Sequence, residues 1–227
     1  MRNVVLVGSS GSIGSAIHNE LKSEHVISFS KQTPSKFNNT HHYIDLSQPI
    51  SVDEIKEKID VDVVDDLIYT PGIAHFNMLE DTPLNIIDEQ YNIQVRNLIV
   101  FIQAILPKIK KSPHGRIVII SSVYGQVGAS CESVYASMKG AQNTLVKSLA
   151  VEYAGTNVTV NAVAPGVVKG KMTDLLSDVD LKTLIEDLPQ RRLIEPSEVA
   201  KLVMYILSED SQSITGQIFN INGGWYT

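Results

Sequence analysis

The strongest constraint on the fold is a glycine-rich turn between a short apolar run and a helical segment. The run Asn3–Val7 has the composition of a buried strand, and Gly8-Ser9-Ser10-Gly11-Ser12-Ile13-Gly14 follows it directly. Residues 14–23 then have helical periodicity. Glycine lets the backbone turn sharply and lie close to a pyrophosphate, whose charge the first amides of the helix stabilise. The turn therefore predicts a nucleotide-binding site that includes Gly8, Ser10, Ser12, Ile13 and Gly14.

The rest of the chain alternates short apolar runs with longer helical segments. After the first strand, the predicted strands are 25–29, 42–44, 63–69, 116–120, 157–162 and 217–221. After the first helix, the predicted helices are 52–59, 85–110, 134–154 and 196–207. Nearly continuous Val, Ile and Leu in several strands indicate a parallel sheet with helices on both faces. We therefore expect one α/β domain over residues 1–227, a single-domain Rossmann fold with a doubly wound, mostly parallel seven-stranded sheet.

Charge and cysteine content disfavour several functional classes. The formal net charge is −6 and the sequence has no basic block, which argues against binding to nucleic acid or to an anionic membrane. The single cysteine, Cys131, permits no intramolecular disulfide, and no His or Cys spacing predicts a metal site. No apolar segment has the length of a membrane span or of a signal peptide. We expect a cytoplasmic protein.

The end of the second strand distinguishes NADP(H) from NAD(H). An NAD(H) site usually has an acidic residue there, which accepts hydrogen bonds from the ribose hydroxyls. This chain has Ser30 and Lys31 instead. Because Ser30 can donate to a 2′-phosphate and Lys31 can neutralise its charge, NADP(H) is favoured over NAD(H). Asp45, after the third strand, is a candidate acceptor for the adenine amino group, although aspartate also commonly begins turns.

Tyr135 and Lys139 form a candidate proton-transfer pair. They are four residues apart on a predicted helix and therefore project from one face. A lysine ammonium near the phenol would lower the phenol pKa from about 10, as a general acid needs near neutral pH. Ser122 follows the fifth strand and can hydrogen-bond the same substrate oxygen. The four-residue spacing of a tyrosine and a lysine is not specific by itself. The prediction becomes more specific because this pair follows the glycine turn and Ser122 in that order.

Five segments resemble the short-chain dehydrogenase/reductase family in its compact form. The matching segments are 115–122, 135–139, 160–166, 195–200 and 215–225. The resemblance extends over essentially the whole chain. It implies that Ser122 polarises the substrate oxygen, that Tyr135 is the general acid or base, and that Lys139 binds the nicotinamide ribose. It also implies cofactor-binding roles at Leu46, Gly72, Pro165, Gly166 and Val168.

Four positions depart from the family pattern. The family's catalytic asparagine corresponds to Gln94, whose longer side chain can still hold a proton-relay water, so we expect reduced turnover and not its loss. Asn92, two residues earlier, would point to another face of the helix. The segment Tyr69-Thr70-Pro71-Gly72 replaces Asn-Asn-Ala-Gly. Ser12 replaces a glycine of the phosphate turn, and Gly170 replaces a threonine that usually holds the nicotinamide carboxamide.

The resemblance implies an NADP(H)-dependent oxidoreductase that interconverts a carbonyl group and a secondary alcohol, similar to β-ketoacyl carrier-protein reductases. The substrate would be a small carbonyl or alcohol, and an acyl group on a carrier protein is one candidate. A dehydrogenase for another ketone or polyol stays open, as does a non-catalytic NADP(H)-binding sensor or scaffold. The resemblance also implies a substrate lid at 170–190, and a homodimer or homotetramer formed through helices 85–110 and 134–154.

Overall fold

Seven parallel strands form the centre of the computed structural model, which describes residues 1–33 and 40–226. The strands are β1 (Asn3–Val7), β2 (His25–Ser30), β3 (Thr40–Tyr43), β4 (Asp66–Tyr69), β5 (Gly115–Ile120), β6 (Val158–Pro165) and β7 (Ile218–Ile221). Their order in the sheet is β3-β2-β1-β4-β5-β6-β7, and every neighbouring pair is parallel. The predicted seven-stranded Rossmann-type sheet is therefore confirmed.

Helices cover both faces of this sheet. They are α1 (Ser12–Glu20), α2 (Val52–Lys58), α3 (Leu84–Tyr91), α4 (Asn97–Ile109), α5 (Ser133–Glu152), α6 (Asp178–Asp187) and α7 (Pro196–Leu207). The core on one face joins the sheet to α2, α4 and α5, and the core on the other joins it to α1 and α7. Helix α6 was not among the predicted helices. Within the described residues, no helix combines the length and apolar composition needed to cross a membrane.

Strand β1 shows why an unbroken apolar run was needed. Its side chains alternate between the two faces, so Val5 and Val7 enter the core with α2, α4 and α5, while Val4 and Leu6 enter the core with α1 and α7. All four are fully buried. A strand covered on both faces cannot expose polar side chains in alternation, which explains the continuous hydrophobic pattern.

The sheet order places the candidate site. The chain reverses direction across the sheet between β1 and β4, and ligands of such sheets bind outside the carboxyl ends of the strands at this switch point. Gly8, Thr70, Ser121 and Gly166 follow β1, β4, β5 and β6 at that edge.

The predicted single helix 85–110 is wrong in one respect, because a π-helical turn, Asn92–Arg96, separates α3 from α4. The amide of Asn97 donates to Asn92, five residues earlier, and so leaves the carbonyl of Ile93 without its usual α-helical donor. The hydroxyl of the buried Tyr69 on β4 donates to that carbonyl at 2.5 Å. A long-range hydrogen bond therefore stabilises the turn, which local periodicity cannot reveal.

Candidate functional site

The glycine turn presents the amino end of α1 at the sheet edge. Gly8 has φ +86°, and a Cβ on Gly14 would lie 2.2 Å from the carbonyl oxygen of Gly8, so both positions require glycine. Gly11 precedes the helix without a capping side chain, and the first turn of α1 contains no acidic residue. The first amides of a helix have no partner within it, so this end fits a phosphate group of a nucleotide cofactor. Ser10, Ser12 and Ile13 lie partly exposed along the same turn.

Ser12 also contacts the segment that begins the expected lid. Gly170 has φ +156°, and a Cβ there would lie 2.1 Å from Oγ of Ser12. The hydroxyl of Thr173 donates to the carbonyl of Gly170 at 2.8 Å and accepts from its amide at 2.9 Å. The two departures noted in the sequence, Ser12 and Gly170, are therefore neighbours, and the serine occupies space that a larger residue at 170 would need.

The carboxyl end of β2 has one engaged hydroxyl and one lysine. Ser30 is buried, and its hydroxyl donates to the carbonyl of Gln32 at 2.6 Å, so it is already used within the protein. Nζ of Lys31 lies 2.8 Å from Oδ1 of Asp45, and both side chains are partly exposed. Burial acts to raise the pKa of Asp45, but hydrogen bonds from Lys31 and Ser47 outweigh it and lower that pKa. Lys31 is thus the better placed of the two for a 2′-phosphate.

The loop after Asp45 is anchored to the amino end of α4. Leu46 is buried, and its carbonyl accepts from the Nδ2 of Asn97 at 2.9 Å. The Nδ2 of Asn92 donates to the carbonyl of Ser47 at 3.0 Å. Asn92 therefore supports this loop and lies on another side of the helix from Gln94, as expected from the sequence.

Ser122, Tyr135 and Lys139 come together beyond the end of β5. All three are buried, with exposed fractions of 8%, 8% and 2%. Ser122 begins a short 3-10 helix, Val123–Gly125, where its Oγ accepts from the amide of Tyr124 at 3.2 Å. Burial raises the pKa of Tyr135 to about 12, and a hydrogen bond with Ser122 opposes this shift. The structure thus joins the predicted proton donor to the predicted polarising serine.

The amine of Lys139 is held from two sides. Nζ donates to the carbonyl of Ile120 at 2.9 Å and to Oε1 of Gln142 at 3.2 Å, and it lies 5.7 Å from the centre of the Tyr135 ring. Burial lowers the pKa of Lys139 to about 7. The expectation that Lys139 lowers the pKa of Tyr135 is wrong for this structure, because the amine is directed to other acceptors and burial dominates both groups.

Gln94 lies in the π-helical turn and is fully buried. Its main-chain carbonyl accepts from Nε2 of Gln142 at 2.7 Å. Its own Nε2 donates to the main-chain carbonyl of Gln90 at 3.4 Å. Its Oε1 has no hydrogen-bond partner among the residues that the structure describes. A Cβ on Gly72 would lie 3.5 Å from this oxygen and 3.2 Å from Nζ of Lys139. Gln94, Gly72 and Lys139 therefore meet at one point.

The Tyr69-Thr70-Pro71-Gly72 segment makes contacts of its own in place of the family's asparagines. The hydroxyl of Thr70 donates to the carbonyls of Val7 and Gly8, at 2.9 and 3.2 Å. This ties the end of β4 to the glycine turn, while Tyr69 ties it to the π-helical turn.

The nicotinamide end of the expected cofactor site follows β6. Pro165 ends the strand, and the amide of Gly166 donates to the carbonyl of Ile221 at 3.0 Å. A Cβ on Gly166 would lie 3.1 Å from Cα of Asn222, so this position favours glycine. Val168 forms a parallel bridge with Ile194, which fixes the chain as it leaves the sheet.

Two buried residues of the site were missed in the sequence. Gln142 is 1% exposed and contacts Lys139, and Glu132 is 7% exposed, at the amino end of α5. Burial raises the pKa of Glu132 to about 7, and its charge acts on the phenol of Tyr135. Both lie three residues from a predicted catalytic residue, so helical spacing was the available signal.

Exposed apolar side chains occur in two segments that follow residues of the site, Gly72 and Gly170. One group precedes α3 and consists of Phe76, Met78 and Leu79; the other belongs to the expected lid and consists of Met172, Leu175 and Val179. Cys131 lies beside the first group, with Sγ 3.7 Å from the sulfur of Met78. In the described part of the chain, no three His, Cys, Asp or Glu side chains are grouped as metal ligands.

Comparison of the sequence with known proteins gives consistent matches. A family model described as Enoyl-(Acyl carrier protein) reductase matches residues 12–226. The uncharacterized oxidoreductase YmfI of Bacillus subtilis (strain 168) is 35% identical over 182 residues, 80% of this chain and 75% of that protein. The 3-oxoacyl-[acyl-carrier-protein] reductase FabG of Escherichia coli (strain K12) is 34% identical over 189 residues, 81% of this chain and 76% of that protein.

Two solved structures are similar over nearly the whole chain. A short chain dehydrogenase family protein from Francisella tularensis superposes with a TM-score of 0.93 at 26% identity, covering 100% of this chain and 98% of that one. A 3-oxoacyl (acyl-carrier-protein) reductase from Agrobacterium tumefaciens, with NADP bound, superposes with a TM-score of 0.90 at 25% identity, covering 99% and 94%.

Proposed function

The chain belongs to the short-chain dehydrogenase/reductase family of oxidoreductases, and we propose that it reduces the ketone of a 3-oxoacyl thioester with NADPH. The observation that carries the proposal is the grouping of three buried side chains, Ser122, Tyr135 and Lys139, at the edge where the sheet receives ligands. A hydroxyl donor and a protonated phenol are what a ketone oxygen requires during reduction.

Each residue of this group has a distinct part in the proposed reaction. Bound NADPH would supply the hydride that adds to the carbonyl carbon. Ser122 donates a hydrogen bond to the carbonyl oxygen, and Tyr135 transfers its phenolic proton to that oxygen, so the product is a secondary alcohol. As Tyr135 loses its proton, the negative charge formed on its oxygen favours the protonated form of Lys139, whose Nζ lies 5.7 Å from the centre of the ring. The high pKa of Tyr135, about 12, keeps the phenol protonated near neutral pH, and the alkoxide oxygen formed by hydride addition is basic enough to take its proton.

The cofactor would lie across the switch point of the sheet. Its diphosphate would contact the amino end of α1, whose first turn has no acidic residue and no capping side chain. Lys31 would bind the 2′-phosphate, and the lid residue Lys171, whose Nζ is 3.5 Å from Oε1 of Gln32, lies at the same end. The proposed cofactor contacts are Gly8, Ser10, Ser12, Ile13, Gly14, Ser30, Lys31, Asp45, Leu46, Gly72, Tyr135, Lys139, Pro165, Gly166 and Val168.

The proposed substrate class rests on two features. The relatives include reductases whose names specify acyl-carrier-protein substrates. The exposed apolar side chains after Gly72 and Gly170, including Phe76 and Leu175, would cover an acyl chain when segment 170–190 closes as a lid. A small ketone or polyol without such a chain would leave these side chains in water, which favours the acyl substrate.

Assembly and location follow from the same proposal. The outer faces of α4 and α5 share an apolar groove of about 240 Å³ that includes Ile99, Leu106 and Leu145. We propose that this face pairs with a second copy to give a homodimer or homotetramer. A cytoplasmic location, which the single Cys131 fits, is part of the proposal.

The direct experiment follows NADPH oxidation by absorbance with a panel of ketones that includes a 3-oxoacyl thioester, a simple ketone and a keto sugar. The proposal expects the thioester to have the highest kcat/KM and the product to be the 3-hydroxyacyl thioester. Preference for the keto sugar would contradict the substrate class. Tight NADPH binding by folded protein with no turnover on any ketone would instead support the sensor alternative.

A further inference from the structure

A buried amide connects the catalytic lysine to the π-helical turn. Gln142 lies one turn beyond Lys139 on α5 and is 1% exposed. Its Oε1 accepts from Nζ of Lys139 at 3.2 Å, and its Nε2 donates to the carbonyl oxygen of Gln94 at 2.7 Å. The two ends of one side chain thus join the two parts of the site that α5 and the π-helical turn contribute.

The orientation of this amide is determined by its neighbours. A carbonyl oxygen only accepts and an ammonium only donates, so the nitrogen of Gln142 must face Gln94 and its oxygen must face Lys139. The reversed amide would place N–H against ammonium and oxygen against oxygen. Gln142 therefore fits this position in one orientation, with its dipole favouring a positive charge on Lys139.

The far end of the bridge is itself fixed. The hydroxyl of Tyr69 donates to the carbonyl of Ile93, next to Gln94, and holds the π-helical turn against β4. The second acceptor of Lys139 is the carbonyl of Ile120, at the end of β5. A buried ammonium is costly without acceptors, so both contacts matter for its position and protonation.

We propose that Gln142 is a positioning residue. By hydrogen bonding to both groups, it connects the Lys139 ammonium to the main-chain carbonyl of Gln94 and so holds the ammonium beneath Tyr135. This role rests on the proposed reductase function, since it acts on the proton donor through Lys139. The other titratable groups that act on this pair are Tyr124, from the 3-10 helix, and Glu132, at the start of α5, and both act on Tyr135. The groups that the π-helical turn and Gly72 present to Lys139 are uncharged.

The first test does not depend on turnover. The ¹³Cε signal of Lys139, assigned by its loss in Lys139→Met, is titrated by NMR in the wild-type chain and in Gln142→Met. Methionine keeps the length of the side chain and removes both hydrogen bonds. Loss of an acceptor disfavours the charged amine, so the pKa of Lys139 should fall by about one unit. The control Gln212→Met, at an exposed glutamine after α7, should leave the titration unchanged.

The second test separates positioning from packing by comparing Gln142→Met with Gln142→Ala. Methionine fills the space but excludes water, whereas alanine opens a polar space where a water can join Lys139 to the carbonyl of Gln94. The proposal expects kcat to fall about tenfold in the methionine variant with KM nearly unchanged, and to recover in the alanine variant to within about threefold of wild type. If Gln142 only fills space, the alanine variant should have a lower kcat than the methionine variant.

A negative result in these tests can be distinguished from failure of the proposed reductase function. An unchanged Lys139 titration in Gln142→Met, or a methionine variant more active than the alanine variant, would overturn the role of Gln142. If the wild-type chain reduces no ketone, the proposed function fails while the NMR titration still decides whether Gln142 controls Lys139.

Discussion

The side-chain nitrogen of Lys139 lies 5.7 Å from the centre of the Tyr135 ring, yet its hydrogen bonds go to Ile120 and Gln142. Burial shifts the two groups in opposite directions, raising the pKa of Tyr135 to about 12 and lowering that of Lys139 to about 7. Both shifts favour the uncharged forms. Near neutral pH the site therefore holds a protonated phenol, which suits a reaction in which Tyr135 gives a proton to a ketone.

Glu132 should make stability depend on pH in a defined window. Burial raises its pKa from 4.5 to about 7, so between these values the folded chain keeps a proton that the unfolded chain has lost. The stabilisation is complete below pH 4.5 and is lost as the pH rises through 7. Glu132→Gln, which stays uncharged, should match the wild type in urea unfolding at pH 4.5 and exceed its stability at pH 8. A difference that does not change with pH would contradict this origin.

Gly170 and Ser12 should behave as a coupled pair. A Cβ at residue 170 would lie 2.1 Å from Oγ of Ser12. Gly170→Ala should therefore displace the glycine turn and raise the Kd for NADPH by about tenfold. Removing the hydroxymethyl group in Ser12→Gly/Gly170→Ala should recover much of the affinity, although φ +156° still disfavours alanine. Titration followed by NADPH fluorescence measures the Kd of the single and the double variant. If the double variant binds no better than Gly170→Ala, the clash does not explain the effect.

Lys31 should select the cofactor. Its ammonium follows β2 directly and pairs with Asp45, and the hydroxyl of Ser30 is already engaged with Gln32. Lys31→Ala should raise KM for NADPH by about tenfold and leave KM for NADH unchanged, since only NADPH carries the 2′-phosphate. The exposed Lys182 on α6 provides a matched control as Lys182→Ala. An equal rise in KM for NADPH and for NADH would show that Lys31 does not bind the 2′-phosphate.

The face formed by α4 and α5 should be an interface between copies. Val151, near the end of α5, is 80% exposed, so Val151→Arg leaves the folded monomer unstrained but places a charge in the proposed contact. Sedimentation velocity should show a dimer or tetramer for the wild type and a smaller species for this variant. Val179→Arg, at a similarly exposed valine on α6, should sediment as the wild type does. Unchanged assembly in Val151→Arg would place the interface elsewhere.

The fold could be predicted because its signals are local. Continuous apolar runs such as Asn3–Val7 indicate strands covered on both faces, and their alternation with helical segments indicates a parallel sheet. The order of Ser122, Tyr135 and Lys139 along the chain also indicated correctly that they would meet, because a strand end and the following helix face one edge of the sheet.

The remaining features depend on contacts between distant residues. The π-helical turn is stabilised by the hydrogen bond from Tyr69 to the carbonyl of Ile93, and no pattern within 85–110 encodes that contact. Ser30 was assigned to the cofactor, but the direction of its hydroxyl depends on the loop that follows β2. Gln142 resembled any polar residue of a helix until the structure placed Lys139 and Gln94 at its two ends.

The most direct test of the account is single-turnover reduction of a 3-oxoacyl thioester by NADPH in Tyr135→Phe, with NADPH affinity measured on the same preparation. Phenylalanine removes the transferable proton and keeps the buried ring, so the account predicts that the rate falls by at least about a hundredfold while the Kd for NADPH changes little. Reduction by Tyr135→Phe at a rate within a few-fold of the wild type would contradict it, because the proton would then have to come from another group.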